Sequence, residues 1–233
     1  MSHRPDLLDH LLPPRLHSNG IAVWVLGPAA VATVLSSQES LSLAELVRAA
    51  NIARADKRSE FIAARRALRW FLAQQKGDEP SHVEFNHVSG PLQPVGHYRD
   101  LTCSLAHRHG RIALAISATG PIGIDMEHVI PHRADSLSSD LLHELPVDMI
   151  QIKPVQLFAA WCELEALSKM QQVDLPVLLP QWRQLCQVAG LPTVMPKERY
   201  ITDIRLSHWE PFPSWRLVLA SKDLVFINIR VDA

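Results

Sequence analysis

From Ile21 to Leu26 every residue is apolar, with Gly20 and Gly27 at the ends, a pattern that predicts a buried strand. Further on, Ser42 followed by Glu45 forms a capping-box pattern that opens a short helix around residues 43–50. A longer helix is predicted from about Asp56 to Gln74. Phe61, Ala64, Leu68 and Leu72 recur on one face of it, while Arg58, Arg65 and Arg69 fall on another. A Gly/Pro-rich loop, Ser89 to Gly96, precedes two β-like runs, Leu101–Ala106 and Arg111–Ser117. The turn between them carries His109-Gly110, so they read as a hairpin. The Thr119-Gly120-Pro121 turn leads into a third strand, Ile122 to Glu127. Pro154 sits at the favoured first position of a helix running to about Met170, with Val155, Phe158, Cys162 and Ala166 along its apolar side. Ser214–Ala220 and Leu224–Val231 read as a second hairpin through Ser221-Lys222-Asp223. Each half of the chain thus contains a long helix and several strands, an α+β pattern, with the join near the 119–122 turn. The halves span residues 1–121 and 122–233.

Charge narrows the partners. The 23 basic residues balance 24 acidic ones, which argues against whole-surface attraction to nucleic acid or to membrane. The first residues, MSHRPDLLDHLLPPRL, lack the continuous apolar core of a signal peptide. The apolar stretch Ile21–Leu35 is broken by Gly27-Pro28 and is too short to span a bilayer. Cys103, Cys162 and Cys186 are odd in number and show no metal-ligand spacing, so reduced thiols in a cytoplasmic protein are expected. The twelve histidines are scattered, without an HExxH pair.

The candidate chemistry lies in the second half. Side chains alternate along a strand, so Asp125 and Glu127 point the same way. Two adjacent carboxylates repel unless a cation joins them, and hard oxygen ligands suit Mg²⁺. Taken alone, the pair reads better as part of a solvated sheet face. A second cluster changes that balance. Trp161, Glu165 and Lys169, spaced i, i+4, i+8, share one helical face, and a tryptophan there is hard to explain as solvated surface. A third carboxylate and an ammonium beside the acid pair would make a site for a metal and a pyrophosphate.

GIDMEHV (residues 123–129) followed by FAAWCELEALSK (158–169) resembles the paired signature of the 4′-phosphopantetheinyl transferases. That signature is a G-[IV]-D-[IV]-E strand and, later, a W-x-x-K-E-[AS]-x-x-K helix. RSEFIAARRALRWFLA is similar to the family's Arg-rich first-domain helix, and CSLAHRHGRIALAIS to its S-x-S-H-S hairpin. The four motifs stand in the family's order over roughly residues 54–170. The length resembles the monomeric, surfactin-synthetase-activating type. For that type the resemblance implies two similar α+β halves forming a pseudo-dimer, with coenzyme A in the cleft between them.

The resemblance also implies roles. Asp125 and Glu127 would bind Mg²⁺, with Glu165 as third ligand or as base for the serine of an acyl or peptidyl carrier protein. Lys169 would contact the coenzyme A pyrophosphate and His107 a phosphate of the same ligand. Arg58, Arg65 or Arg69 would help hold the 3′-phosphate, and Arg108 would replace charge that is lost elsewhere. Several positions depart from the family pattern. Leu164 stands in place of a lysine, Ala106 and Arg108 flank His107 in place of serines, and Ser89-Gly90-Pro91-Leu92 lacks a lysine. Glu60 replaces a basic residue. The alternative reading is an impaired relative that binds coenzyme A or a carrier protein without transfer. An unrelated metal hydrolase ranks last, having no motif of its own.

Overall fold

The computed structural model describes residues 11, 13–18, 20–37, 41–86, 92–134, 137, 153–189, 198–201, 203–222 and 226–232. The loop residues Ser89–Pro91 and Leu224 lie outside them. The chain is α+β and forms two compact units, Met1–Gly120 with Val225–Ala233, and Pro121–Leu224.

The first unit holds strand β1 (Gly20–Leu26) and helices α1 (Pro28–Ser36), α2 (Leu43–Ala50) and α3 (Ala55–Lys76), followed by strands β2 (Thr102–Arg108) and β3 (Arg111–Ser117). The predicted capping box is present: Ser42 accepts the Glu45 amide and the Glu45 carboxylate accepts the Ser42 amide. Helix α3 is rich in alanine, which costs no side-chain entropy in a helix. It stops at Gly77, whose left-handed conformation (φ 64°) lets its amide reach Ala73 O. Its apolar side lies on the sheet face formed by Ala22, Trp24 and Leu26 of β1 with Ile112, Leu114 and Ile116 of β3. Trp24 and Phe71 meet there edge to face, with centroids 5.7 Å apart.

The second unit begins with β4 (Ile122–His128), then helices α4 (Pro154–Gln171) and α5 (Leu175–Ala189) and strands β5 (Glu198–Ile201), β6 (Ile204–Trp209) and β7 (Trp215–Ser221). Pro154 opens α4, and Gln172 closes it in the left-handed region at φ 57°. Helix α4 lies very close to β4 at Gly123, where an added Cβ would stand 1.9 Å from Ala166 O and 2.7 Å from Met170 N. Only glycine allows that approach.

The sheets are ordered β2-β3-β1-β8 and β4-β7-β6-β5, where β8 is Phe226–Asp232. This corrects the second hairpin expected from the sequence. β7 pairs antiparallel with β4 and β6, whereas β8 lies parallel to β1, with Gly20 opposite Phe226. Trp24 Nε1 donates to Asp232 Oδ2 at 2.7 Å, which fixes that pairing. A turn-like Ser-Lys-Asp run marks a change of direction but not the strand's partner, and β8 completes the first sheet rather than the second. Taken separately, the two units share a topology. In β1–α3–β2–β3 and in β4–α4–β6–β7 the third strand pairs antiparallel with the first, and the second with the third.

Candidate active site

Asp125 and Glu127 share a face with Gly123, and across the sheet with Ala220, Val218, Arg216, Leu206 and His208. That is the face helix α4 covers: Leu206, Val218 and Ala220 form one core cluster with Ala160, Cys162, Ala166 and Met170. The two acids are therefore buried, 7% and 6% exposed, and the solvated-face reading is excluded. Placing a carboxylate there costs several kcal/mol unless it gains partners. Lys169, in the last turn of α4, supplies one. Its Nζ donates to Asp125 Oδ1 at 2.7 Å and to Ile124 O at 3.0 Å. Asp125 Oδ2 is buried with no hydrogen-bond partner among the described residues. Trp161, Glu165 and Lys169 are all half-buried, as their shared helical face predicts.

Electrostatics reinforce this arrangement. Burial works to lower the Lys169 pKa, but the charge and hydrogen bond of Asp125, with the charge of Glu165, carry it above its ordinary value. Lys169 is thus an ammonium at neutral pH. Burial pushes the Cys162 thiol well up, and Asp125 and Glu127 push it further. Cys162 is therefore a neutral packing group rather than a nucleophile. Cys103 and Cys162 are buried and in no disulfide among the described residues, and the Cys186 side chain lies outside what is described.

Residues that the sequence did not single out surround this core. Glu163, fully buried on α4, meets His208 Nε2 through Oε1 at 3.0 Å. Across β7, His208 is in register with Asp125, since both pair with Val218. Arg216 stands directly opposite Glu127 and pairs with Glu210 at 3.1 Å. Glu163 could have been suspected from its place inside the helix motif, but nothing local marks His208 or Arg216.

The first-unit residues expected to meet coenzyme A are placed differently from one another. His107 is half-buried on β2, its Nδ1 3.4 Å from Glu60 Oε2. Glu60 also accepts from Lys57 Nζ at 2.8 Å and from the Gly110 amide at 3.1 Å. Burial works to raise the Glu60 pKa, but the hydrogen bonds of His107, Lys57 and Gly110 outweigh it and hold the carboxyl at about 2. Arg58 donates twice to Ile52 O. Arg69, 4% exposed, pairs with buried Glu45 at 2.7 Å and donates to Val83 O. Arg65 is buried over the Phe61 ring, and Arg108 is half-buried at the end of β2.

Among the described residues no three His, Cys, Asp or Glu side chains gather into a group able to hold a metal ion. The three acids expected around one ion do not form such a group. What fits a cation is narrower: the orphaned, buried Asp125 Oδ2 beside a second carboxylate on the same face. Mg²⁺ commonly takes only one or two protein carboxylates and completes its shell with phosphate oxygens and water. Among the described residues no helix is long and apolar enough to cross a membrane. No protein-family model matches the chain, and no curated protein matches it either.

Proposed function

We propose that this chain transfers the 4′-phosphopantetheine arm of coenzyme A to a serine of an apo acyl or peptidyl carrier protein. One observation carries the reading: two buried acids lie under a helix whose lysine reaches one of them, at the positions of the transferase signature. On this reading the two units are the halves of a pseudo-dimer with coenzyme A in the cleft between them. The topology repeated in each unit supports that.

Asp125 and Glu127 would hold Mg²⁺, which when bound would neutralise charge on the pyrophosphate oxygens. Lys169, kept charged by Asp125 and Glu165, would stabilise the leaving phosphate. Glu165 accepts the proton of the carrier serine. The serine oxygen then bonds to the β-phosphorus, the bond to 3′,5′-ADP breaks, and 3′,5′-ADP leaves with the electron pair. Such transfers depend on in-line positioning and charge neutralisation rather than covalent help. The neutral Cys162 thiol and the apolar cluster beneath the acids take no part in the bond changes.

The test is direct. The protein is incubated with coenzyme A, Mg²⁺ and apo carrier proteins, and intact mass shows whether the arm has been added. Transfer by the wild type, lost by roughly a thousand-fold or more in Asp125→Ala and Glu165→Ala with circular dichroism unchanged, is the expected result. Transfer surviving in either variant would overturn the assignment. Coenzyme A binding without transfer by the wild type would instead favour a non-catalytic relative.

A further inference from the structure

Glu60 is more deeply buried than its pairing with Lys57 requires. Acids and lysines three residues apart pair readily on the open surface of a helix. Yet Glu60 is only 6% exposed and reaches from α3 to the β2–β3 hairpin. Burying a carboxylate is costly unless partners replace the lost water. Its two oxygens take different ones. Oε1 accepts the Gly110 amide at 3.1 Å, in a turn whose His109 and Gly110 both lie in the left-handed region, at φ 47° and 70°. Oε2 accepts Lys57 Nζ at 2.8 Å and lies 3.4 Å from His107 Nδ1. One side chain thus holds both an imidazole and the turn just beyond it. These partners keep the carboxyl ionised at neutral pH. An ionised carboxylate can only accept, so the ring nitrogen that faces it carries a proton. Nε2 is then the nitrogen left for a ligand, and 27% of the His107 side chain stays exposed.

We propose that Glu60 is a positioning residue: it fixes His107 by Nδ1, so that Nε2–H donates to a phosphate of coenzyme A. The inference rests on the transferase reading for the ligand's identity. With an acceptor on each side, carboxylate and phosphate, both ring nitrogens hold a proton and the bound imidazole is a cation. The acid that replaces a basic residue of the family pattern then assists anion binding, because the ring lies between it and the phosphate. A glutamine in its place has one acceptor oxygen for the turn and the ring, and no charge to balance the imidazolium.

The experiment separates positioning from chemistry. Coenzyme A, without carrier protein, is titrated into wild type, Glu60→Gln, His107→Ala and the double variant, and affinity is read by calorimetry. Each single variant is expected to weaken binding about ten-fold, through the loss of a charge-assisted hydrogen bond. The double variant should bind no worse than His107→Ala, because Glu60 acts only through the ring. In transfer assays the Glu60→Gln loss should fall on KM for coenzyme A rather than on kcat. Nitrogen NMR of the wild type should find His107 Nδ1 protonated, and a bare Nδ1 would overturn the proposal without any variant. Additive losses, or wild-type affinity in Glu60→Gln, alongside intact transfer would also overturn it and leave the transferase reading standing. Coupled losses with no transfer by the wild type would support the positioning role and sink the transferase reading. A wild type that does not bind coenzyme A would overturn both.

Discussion

Strands β1 and β4 hold the same place in the same topology, yet their helix-covered faces have opposite chemistry. In β1 that face reads Ala22, Trp24, Leu26, opposite Ile116, Leu114 and Ile112. In β4 it reads Gly123, Asp125, Glu127, opposite Ala220, Val218 and Arg216. The first set builds an apolar core under α3. The second inserts two carboxylates under α4 and needs Lys169 to balance one of them. The scaffold does not require charge at those positions, because its counterpart does without it. Buried charge in the second unit is therefore best explained by work done there, a reading several substitutions can break or sharpen.

The largest change in stability should come from the first unit's own buried pair. If Arg69 is structural, Arg69→Ala strands Glu45 and costs about 3–5 kcal/mol in urea unfolding. A loss near zero would return Arg69 to the ligand-binding candidates. Converting the second unit toward the first, with Asp125→Leu and Lys169→Met together, should abolish transfer while leaving stability unchanged or raising it by about 1–4 kcal/mol. A double variant that unfolds would show the pair to be structural. Gly123→Ala copies the alanine at the matching position of β1. Here it drives a Cβ into the α4 backbone and should cost about 1–3 kcal/mol, read as a lower melting temperature. The smallest effect concerns pH. Glu60 titrates at about 2 in the fold, against 4.5 for a free side chain. A depressed carboxyl contributes stability above pH 4.5 and loses it as pH falls toward 2. The stability lost over that window should shrink in Glu60→Gln by on the order of 1 kcal/mol once solvent screening is allowed for, read as a flatter slope of melting temperature with pH. Asp78, also held at about 2, keeps its share in both proteins, and equal slopes would show that Glu60 is not held by its partners.

The sequence made some of this legible and hid the rest for physical reasons. Local signals sufficed for α2, α3, α4, the β2–β3 hairpin and β4, because caps, a helix-opening proline and side-chain periodicity act within a few residues. Helix α5 was obscured by Pro180 in its interior, and α1 merged into the apolar run that follows β1. Strand partners depend on distant residues, so the local turn signal before β8 points to the wrong neighbour. At the site, the shared faces of Asp125 with Glu127 and of Trp161 with Glu165 and Lys169 followed from periodicity. That the acids are buried did not, because it is decided by which sheet face α4 covers. Arg69 shows the same limit: an arginine on a helix reads alike whether it meets solvent, a ligand or, as here, a glutamate contributed by another helix.

The return of β8 to β1 bears on how the polypeptide is made. The tie between Trp24 and Asp232 joins residues 208 positions apart, so the first sheet lacks one member until the whole of the second unit, Pro121–Leu224, has been synthesised. During that interval β1 offers a bare row of amides and carbonyls along an apolar strand, the kind of template that recruits foreign strands. Removing residues 226–232 should make that interval permanent, and an aggregating product with an intact second unit would be its signature.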